Sequence, residues 1–161
     1  MLPRVSLTLI CALSGLACSQ APDSAKSSNF DPVVATIRDV HNTIRSGSLS
    51  CEDIIATYLA RIDKLDKSTG LNAIIFTNPA ALQRARAIDT ALANGAELGS
   101  LYCVPVLLKD NIESKDRMAT TAGALALQDN ITCRDSPLTA GLRTQGAIIL
   151  GKSNLSQWAN F

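Results

Sequence analysis

The apolar run at residues 147–150, which reads AIIL, limits the possible folds more than any other feature of the sequence. It follows the segment SPLTAGLRTQG, in which Ser136 suits a helix N-cap, Pro137 the first helical position and Gly146 the helix end. A short aliphatic run bounded by glycines predicts a buried strand. Residues 136–150 are therefore expected to form a helix that is followed directly by a strand.

The segment GAIILGKS at residues 146–153 also matches the P-loop pattern of nucleotide-binding proteins. A P-loop, however, needs a strand before its first glycine and a flexible, phosphate-binding turn at the four variable positions. Here a helix precedes the first glycine, and the predicted strand occupies the variable positions. We therefore do not expect this segment to bind ATP or GTP.

Helical and extended patterns alternate in the part of the chain that precedes this segment. Capping residues, apolar positions at helical spacing and closing residues predict three helices and two strands there. The helix starts are marked by Asp31 with Pro32, by Ser50, and by Asn78 with Pro79. The predicted helices cover residues 31–47, 51–66 and 79–95, and the predicted strands cover residues 71–77 and 102–111. This order predicts an α/β fold in which helices cover a mainly buried sheet.

The N-terminal residues have a pattern of their own. Arg4 precedes an apolar block at residues 5–17, and the small residues Gly15 and Ala17 lie near its end. This arrangement is typical of a secretory signal peptide, and the block is shorter than a membrane-spanning helix requires. We predict a signal peptide at residues 1–17; a disordered or core-packed N-terminus is the alternative.

A polar linker at residues 18–29 is predicted to join the signal peptide to a folded region at residues 30–161. The mature protein is then expected to be secreted, without an integral membrane span. A lipid anchor on Cys18 is less favoured, because Gly15 stands where bacterial lipoproteins usually carry a bulky aliphatic residue.

Charge and metal-ligating residues are unremarkable in number and spacing. The chain has 15 basic and 14 acidic side chains, so nothing indicates nucleic acid as a partner. Its single histidine, His41, falls on the surface of a predicted helix, and the cysteines have wide, irregular spacings. We therefore predict neither a metal site nor a cofactor. The sequence gives no indication of the oligomeric state.

The strongest indication of chemistry lies at residues 104–127, which read VPVLLKDNIESKDRMATTAGALAL. Lys109 ends an apolar strand there, and Asp110 and Asn111 follow at once. One interpretation is an exposed lysine at a strand end, followed by a polar turn. The other is a partly buried lysine at a sheet edge, where loss of solvent favours the neutral amine and makes it a usable base.

Three blocks of the last sixty residues, CVPVLLKDN, TTAGA and LRTQGAIILGKSNLSQWANF, resemble the amidase signature family. Members of that family commonly carry similar blocks in the same order. The resemblance implies an α/β/α layered fold with a mixed sheet, of which this chain would be the N-terminal part. It also implies that GAIILGKS is a strand and the turn into the next helix.

The resemblance also implies amide hydrolysis through an acyl-enzyme, with a triad of serine, cis-peptide serine and lysine. Lys109 matches the family's lysine, the base that acts on the nucleophile through the bridging serine. The substrate is then expected to be a small-molecule amide. Thr120, Thr121 and Gly123 are weaker candidates for substrate binding, and a turn that only packs against the sheet is the alternative for them.

Both serines of the family belong to a glycine-serine-rich segment that follows the last block, and no such segment occurs in these 161 residues. We therefore expect an N-terminal fragment of a secreted amidase, inactive by itself. A secreted, non-catalytic amidase-like binding protein is the alternative. The amidotransferase branch of the family is less favoured, because its work is not extracellular.

Export predicts two modifications. Cys103 lies at the start of the predicted strand that leads to Lys109, and Cys133 lies at the end of the loop that leaves it, so we predict a disulfide between them. Two unpaired, buried thiols are the alternative. The tripeptide NIT makes Asn130 a predicted N-glycosylation site in a host that glycosylates, and its polar loop suits modification better than the second sequon, NLS at the predicted helix cap Asn154.

Overall fold

The fold is that of a computed structural model, which describes residues 30–159. The predicted signal peptide and linker, with Cys18, lie outside the described residues. The described chain forms α1 (Ile37–Arg45), α2 (Cys51–Leu65), β1 (Ile74–Thr77), α3 (Ala81–Ala93), β2 (Pro105–Lys109), α4 (Pro137–Thr144) and β3 (Ile148–Ser153). One short 3-10 helix, Leu125–Leu127, lies between β2 and α4, and another, Gln157–Ala159, follows β3.

Capping boxes fix the starts of the first two helices. The Ser50 hydroxyl accepts the Asp53 backbone N–H, so Ser50 is the cap that the sequence predicts for α2. The Asp53 carboxylate accepts the Ser50 N–H at 2.9 Å and completes the box. Thr36 and Asp39 form the same box at α1. Helix α1 therefore begins six residues after the predicted start, and Asp31 caps a separate turn through its bond to the Val33 N–H.

The third helix also begins later than predicted, because Asn78 is used elsewhere. Its side-chain oxygen accepts the Ala80 N–H at 2.9 Å, and its amide donates to the Ile149 carbonyl at 2.8 Å. Asn78 is buried and ties the end of β1 to the central strand. The start of α3 is thus displaced to Ala81. Helix α4, in contrast, has the predicted Ser136 cap.

The three strands form a mixed sheet in the order β1-β3-β2, which confirms the predicted α/β class. Strand β1 runs antiparallel to β3, and β2 runs parallel to it. Strand β3 extends to Ser153, three residues beyond the predicted run. Gly151 permits this extension, because a Cβ at that position would lie 2.3 Å from the Phe76 carbonyl oxygen of β1.

Two apolar clusters pack against the sheet. The larger one joins the first three helices to β3 and contains Val40, Cys51, Ile54, Ile55, Ala81, Ala85, Cys103, Ile148 and Leu150. The smaller one contains Leu108, Met118 and Ile149. Because Ile148 and Leu150 face one cluster and Ile149 faces the other, β3 is buried on both faces, as its continuous apolar run predicts.

The predicted disulfide between Cys103 and Cys133 is wrong. Cys103 pairs with Cys51 at the start of α2, with 5.6 Å between the Cα atoms, and both residues are fully buried. Cys133 is exposed and has no disulfide partner among the described residues. The residues on both sides of Cys133 contact the loop after the carboxyl end of β2, Thr132 at the Ser114 carbonyl and Arg134 at Glu113, whereas Cys103 precedes the other end of that strand.

Two smaller expectations also need correction. His41 is half-buried rather than on the surface: its Nε2 lies 3.0 Å from the Tyr102 carbonyl oxygen and its ring stacks on Tyr102 at 4.0 Å. The helix expected after GAIILGKS is a single 3-10 turn within the described residues, Gln157–Ala159, and the Trp158 side chain there is 60% exposed. Within residues 30–159, no helix is both long and apolar enough to cross a membrane.

Candidate active site

Lys109 is the last residue of β2, and its side chain is exposed. Its carbonyl oxygen accepts the Ile112 N–H at 2.9 Å, which closes a tight turn directly after the strand. Among the described residues, the Lys109 side chain makes no hydrogen bond and no ion pair. In the parallel register Lys109 lies opposite Ser153, so the two side chains share one face of the sheet. The partial burial expected for Lys109 is not found in this part of the chain.

Asp110, the next residue, is fully buried and fixed through its backbone and its side chain. Its N–H donates to the Ser153 carbonyl, and its own carbonyl accepts the Ala122 N–H, each at 3.1 Å. Carboxylate oxygen Oδ2 accepts both the backbone N–H and the hydroxyl of Thr121. The backbone on the carboxyl side of Lys109 is therefore held by Ser153 of β3 and by Thr121 and Ala122.

Lys152, on the central strand, is also fully buried. Its ammonium group donates to the Ile112 carbonyl at 2.7 Å and to the Thr120 hydroxyl at 2.9 Å. The Asp110 carboxylate lies 3.8 Å away. Burial lowers the pKa of Lys152 below the ordinary lysine value, and the negative charges of Asp110, Asp116 and Glu113 oppose that shift.

The three weaker candidates, Thr120, Thr121 and Gly123, form one segment. The structure places this segment against Lys152 and Asp110 rather than against Lys109. Thr120 and Thr121 are buried, and their hydroxyl groups bond to Lys152 and Asp110. Gly123 adopts a left-handed conformation with φ of 71°, in which its N–H donates to the Thr121 hydroxyl. Substrate binding by these residues stays a prediction.

A groove of about 330 Å³ lies beside this segment. Its walls include Thr121 and Gly123 together with Phe76, Leu125 and Leu155. Leu125 is 81% exposed, so an apolar surface borders the two candidate residues. The groove fits an apolar group better than a charged one.

A second polar network, centred on Arg143, contacts the segment between β2 and Thr120. Arg143 of α4 forms ion pairs with Asp116 and with Asp135, the latter at 3.0 Å, and all three side chains are largely buried. Burial alone would raise the pKa of Asp135, but its bonds to the Lys115 N–H and to Arg143 lower it below the ordinary aspartate value. The network joins α4 to the segment that leads from β2 to Thr120.

The sequence interpretation missed Lys152, because GAIILGKS was expected to leave the strand before its lysine. The signal was present, however: both VPVLLK and AIILGK place a lysine at the end of an apolar strand. Only the register distinguishes the two side chains, exposing Lys109 and burying Lys152. Residues 30–159 contain no group of His, Cys, Asp and Glu side chains that could hold a metal ion.

Comparison with known sequences relates the chain to amidases. Residues 53–161 match the family model described as Amidase. A probable amidase of Arabidopsis thaliana is 42% identical over 137 residues, which is 84% of this chain and 26% of that protein.

Solved structures agree with this relationship. A peptide amidase from Stenotrophomonas maltophilia superposes with a TM-score of 0.75 and 41% identity, covering 78% of this chain and 26% of its own. An amidase family protein from Bacillus anthracis superposes with a TM-score of 0.74 and 37% identity, covering 80% and 26%. The chain thus spans about a quarter of the length of these relatives. On the sequence match and the shared fold, the chain belongs to the amidase signature family.

Proposed function

We propose that the whole protein hydrolyses the C–N bond of a linear carboxamide through an acyl-enzyme, and that Lys109 is its general base. The observation that carries this proposal is the contrast between the two strand-end lysines. Lys152 has its ammonium group committed to internal oxygens, whereas the Lys109 side chain has no partner within residues 30–159 and stands on a backbone fixed on both sides. A base needs this combination of a free amine and a fixed position.

In the proposed reaction, Lys109 accepts the proton of a bridging serine, which accepts the proton of the nucleophilic serine as it attacks the amide carbonyl. The amine leaves with a proton that returns along the same path, and water then hydrolyses the acyl-enzyme. Neither serine is assigned to a residue of this chain. Residues 1–161 alone are therefore proposed to be inactive, and the family's lysine is their contribution to the site.

The exposure of Lys109 bears on this mechanism, because a neutral amine is favoured only where solvent is excluded. The described residues do not cover its side chain. We propose that the remaining part of the protein does so, which fits a chain that spans about a quarter of its relatives' length. Secretion, with cleavage after residue 17, remains part of the same proposal. A non-catalytic, amidase-like binding protein remains the alternative.

Turnover of amides by the whole protein, encoded by residues 1–161 and any coding sequence after them, tests the proposal. Because a structure at 41% identity is a peptide amidase, the assay includes peptide amides beside small aliphatic and aromatic amides. Lys109→Ala is expected to lower kcat by at least about a hundredfold. Lys64→Ala, which removes an exposed lysine from α2, is the matched control and is expected to keep full activity. Full activity of Lys109→Ala would contradict the assignment of the base.

A further inference from the structure

Lys152 carries a fully buried ammonium group that has no role in the proposed reaction. Lysine is almost never fully buried unless it is paired, because its ammonium group loses its hydration there. Lys152 is 0% exposed and lies on the same side of the sheet as the apolar cluster of Leu108, Met118 and Ile149. Its position on β3 is directly before Ser153, the cross-strand neighbour of Lys109.

The contacts of Lys152 join the two ends of one loop. This loop, residues 110–123, leaves the carboxyl end of β2 and returns to it. The ammonium group reaches the outgoing end at the Ile112 carbonyl, at 2.7 Å, and the returning end at the Thr120 hydroxyl, at 2.9 Å. The side chain thus acts as a clip that holds both ends against the central strand.

Asp110 completes the clip from the loop side. It receives the N–H and hydroxyl of Thr121 from the returning end, and its backbone bonds both to Ser153 and to Ala122. Oxygen Oδ1 lies 3.8 Å from the Lys152 ammonium and has no hydrogen-bond partner among the described residues. The two charges therefore face each other without a direct bond, and hydrogen bonds around them set their separation.

We propose that Lys152 and Asp110 form a positioning pair, which fixes the backbone of Lys109 and the loop at residues 110–123 in the geometry that the reaction needs. The proposal rests on the proposed function, in which Lys109 is the base. Neither member touches the substrate; each acts through Lys109 and through the Thr120–Thr121 segment.

Fold stability alone gives a poor account of the pair. Buried ion pairs replaced by apolar side chains of similar volume often leave a protein equally stable or more stable. An unbonded carboxylate oxygen in the interior also costs free energy rather than adding to stability. A polar framework directly under the catalytic lysine is useful, however, because a displacement of about 1 Å in a reacting group can cost about a hundredfold in rate.

Two variants of the whole protein separate positioning from stability. Lys152→Met keeps the approximate length of the side chain but removes its charge and its two hydrogen bonds. The double variant Asp110→Asn/Lys152→Met also removes the buried carboxylate charge that the first variant leaves unpaired. Lys67→Met, which breaks the pair between the exposed Lys67 and the buried Asp66 at 3.6 Å, is the matched control. For each protein we would measure kcat, KM, the Tm and amide hydrogen exchange without substrate.

We expect Lys152→Met to lower kcat by about a hundredfold, with KM within about threefold of the wild type. Exchange should become faster at the amides of Thr121 and Ala122, and stay unchanged in α2. The double variant should regain most of the lost Tm without regaining kcat or slow loop exchange. The Lys67→Met control should match the wild type throughout.

Recovery of kcat together with the Tm in the double variant would overturn the proposal, because the pair would then be merely structural. An unchanged kcat and unchanged loop exchange in Lys152→Met would overturn it as well. Hydrogen exchange is measured without substrate, so it tests independently of catalysis whether the Lys152 contacts hold the loop in place. A wild-type protein that hydrolyses no amide would refute the proposed function, whereas unchanged exchange in the loop would refute the positioning.

Discussion

Removing the Cys51–Cys103 disulfide should cost the protein a large part of its stability. The bond joins residues 52 positions apart, and for a loop of that length the chain-entropy model gives about 4 kcal/mol at 25 °C. Both cysteines are fully buried, so the double variant Cys51→Ala/Cys103→Ala also loses packing between α2 and the start of β2. We expect a decrease of about 4 kcal/mol or slightly more in the free energy of unfolding.

Equilibrium unfolding in urea, with and without a thiol reductant, measures this effect. The wild type should lose stability on reduction, whereas the double variant should not respond. Cys133→Ala, which removes the exposed cysteine that has no partner within residues 30–159, should unfold within about 0.5 kcal/mol of the wild type. Peptide mapping without reduction should recover Cys51 linked to Cys103. A link from Cys103 to Cys133, or a wild type insensitive to reductant, would refute this reasoning.

Three further predictions concern export and the helix cap. N-terminal sequencing of the secreted product should begin between Cys18 and Pro22, and a product that retains Met1 would contradict the signal peptide. Asn130 is exposed, so glycosidase treatment of protein from a glycosylating eukaryotic host should lower its mass, and the Asn130→Gln protein should not respond. Hydrogen bonds from Ser50 lower the pKa of Asp53. The stability that Asp53 adds relative to Asp53→Asn is therefore present above the unfolded-state value of about 3.9. It should disappear as the pH falls through the lower folded-state pKa, and urea midpoints of both proteins across that range test this.

Local signals in the sequence were sufficient to predict the start of a helix where one capping hydrogen bond determines it. Ser50 and Asp53 form the capping box that starts α2, and Ser136 caps α4 as predicted. Asp31 and Asn78 are also good cap residues, yet each caps a turn instead. The role of Asn78 is determined by the sheet, because its amide donates to the central strand. That partner lies 71 residues away, so the local sequence does not indicate it.

The site was predictable in part. The block around Lys109 identified the strand and its end, and the described residues leave the Lys109 side chain exposed. The burial of Lys152 could not be read from spacing, because it depends on the bulge that Gly151 permits and on partners from a loop forty residues away. The partner of Cys103 depended likewise on the packing of α2 against the sheet.

Covalent labelling of the whole protein with a serine-directed fluorophosphonate tests the central claim most directly, because it reports the activated nucleophile without any knowledge of the substrate. The account predicts one adduct per wild-type molecule, on a serine, with an unchanged labelling rate in Lys64→Ala. In Lys109→Ala the rate should fall by at least about a hundredfold. A Lys109→Ala protein that is labelled as fast as the wild type would contradict the assignment of Lys109 as the base.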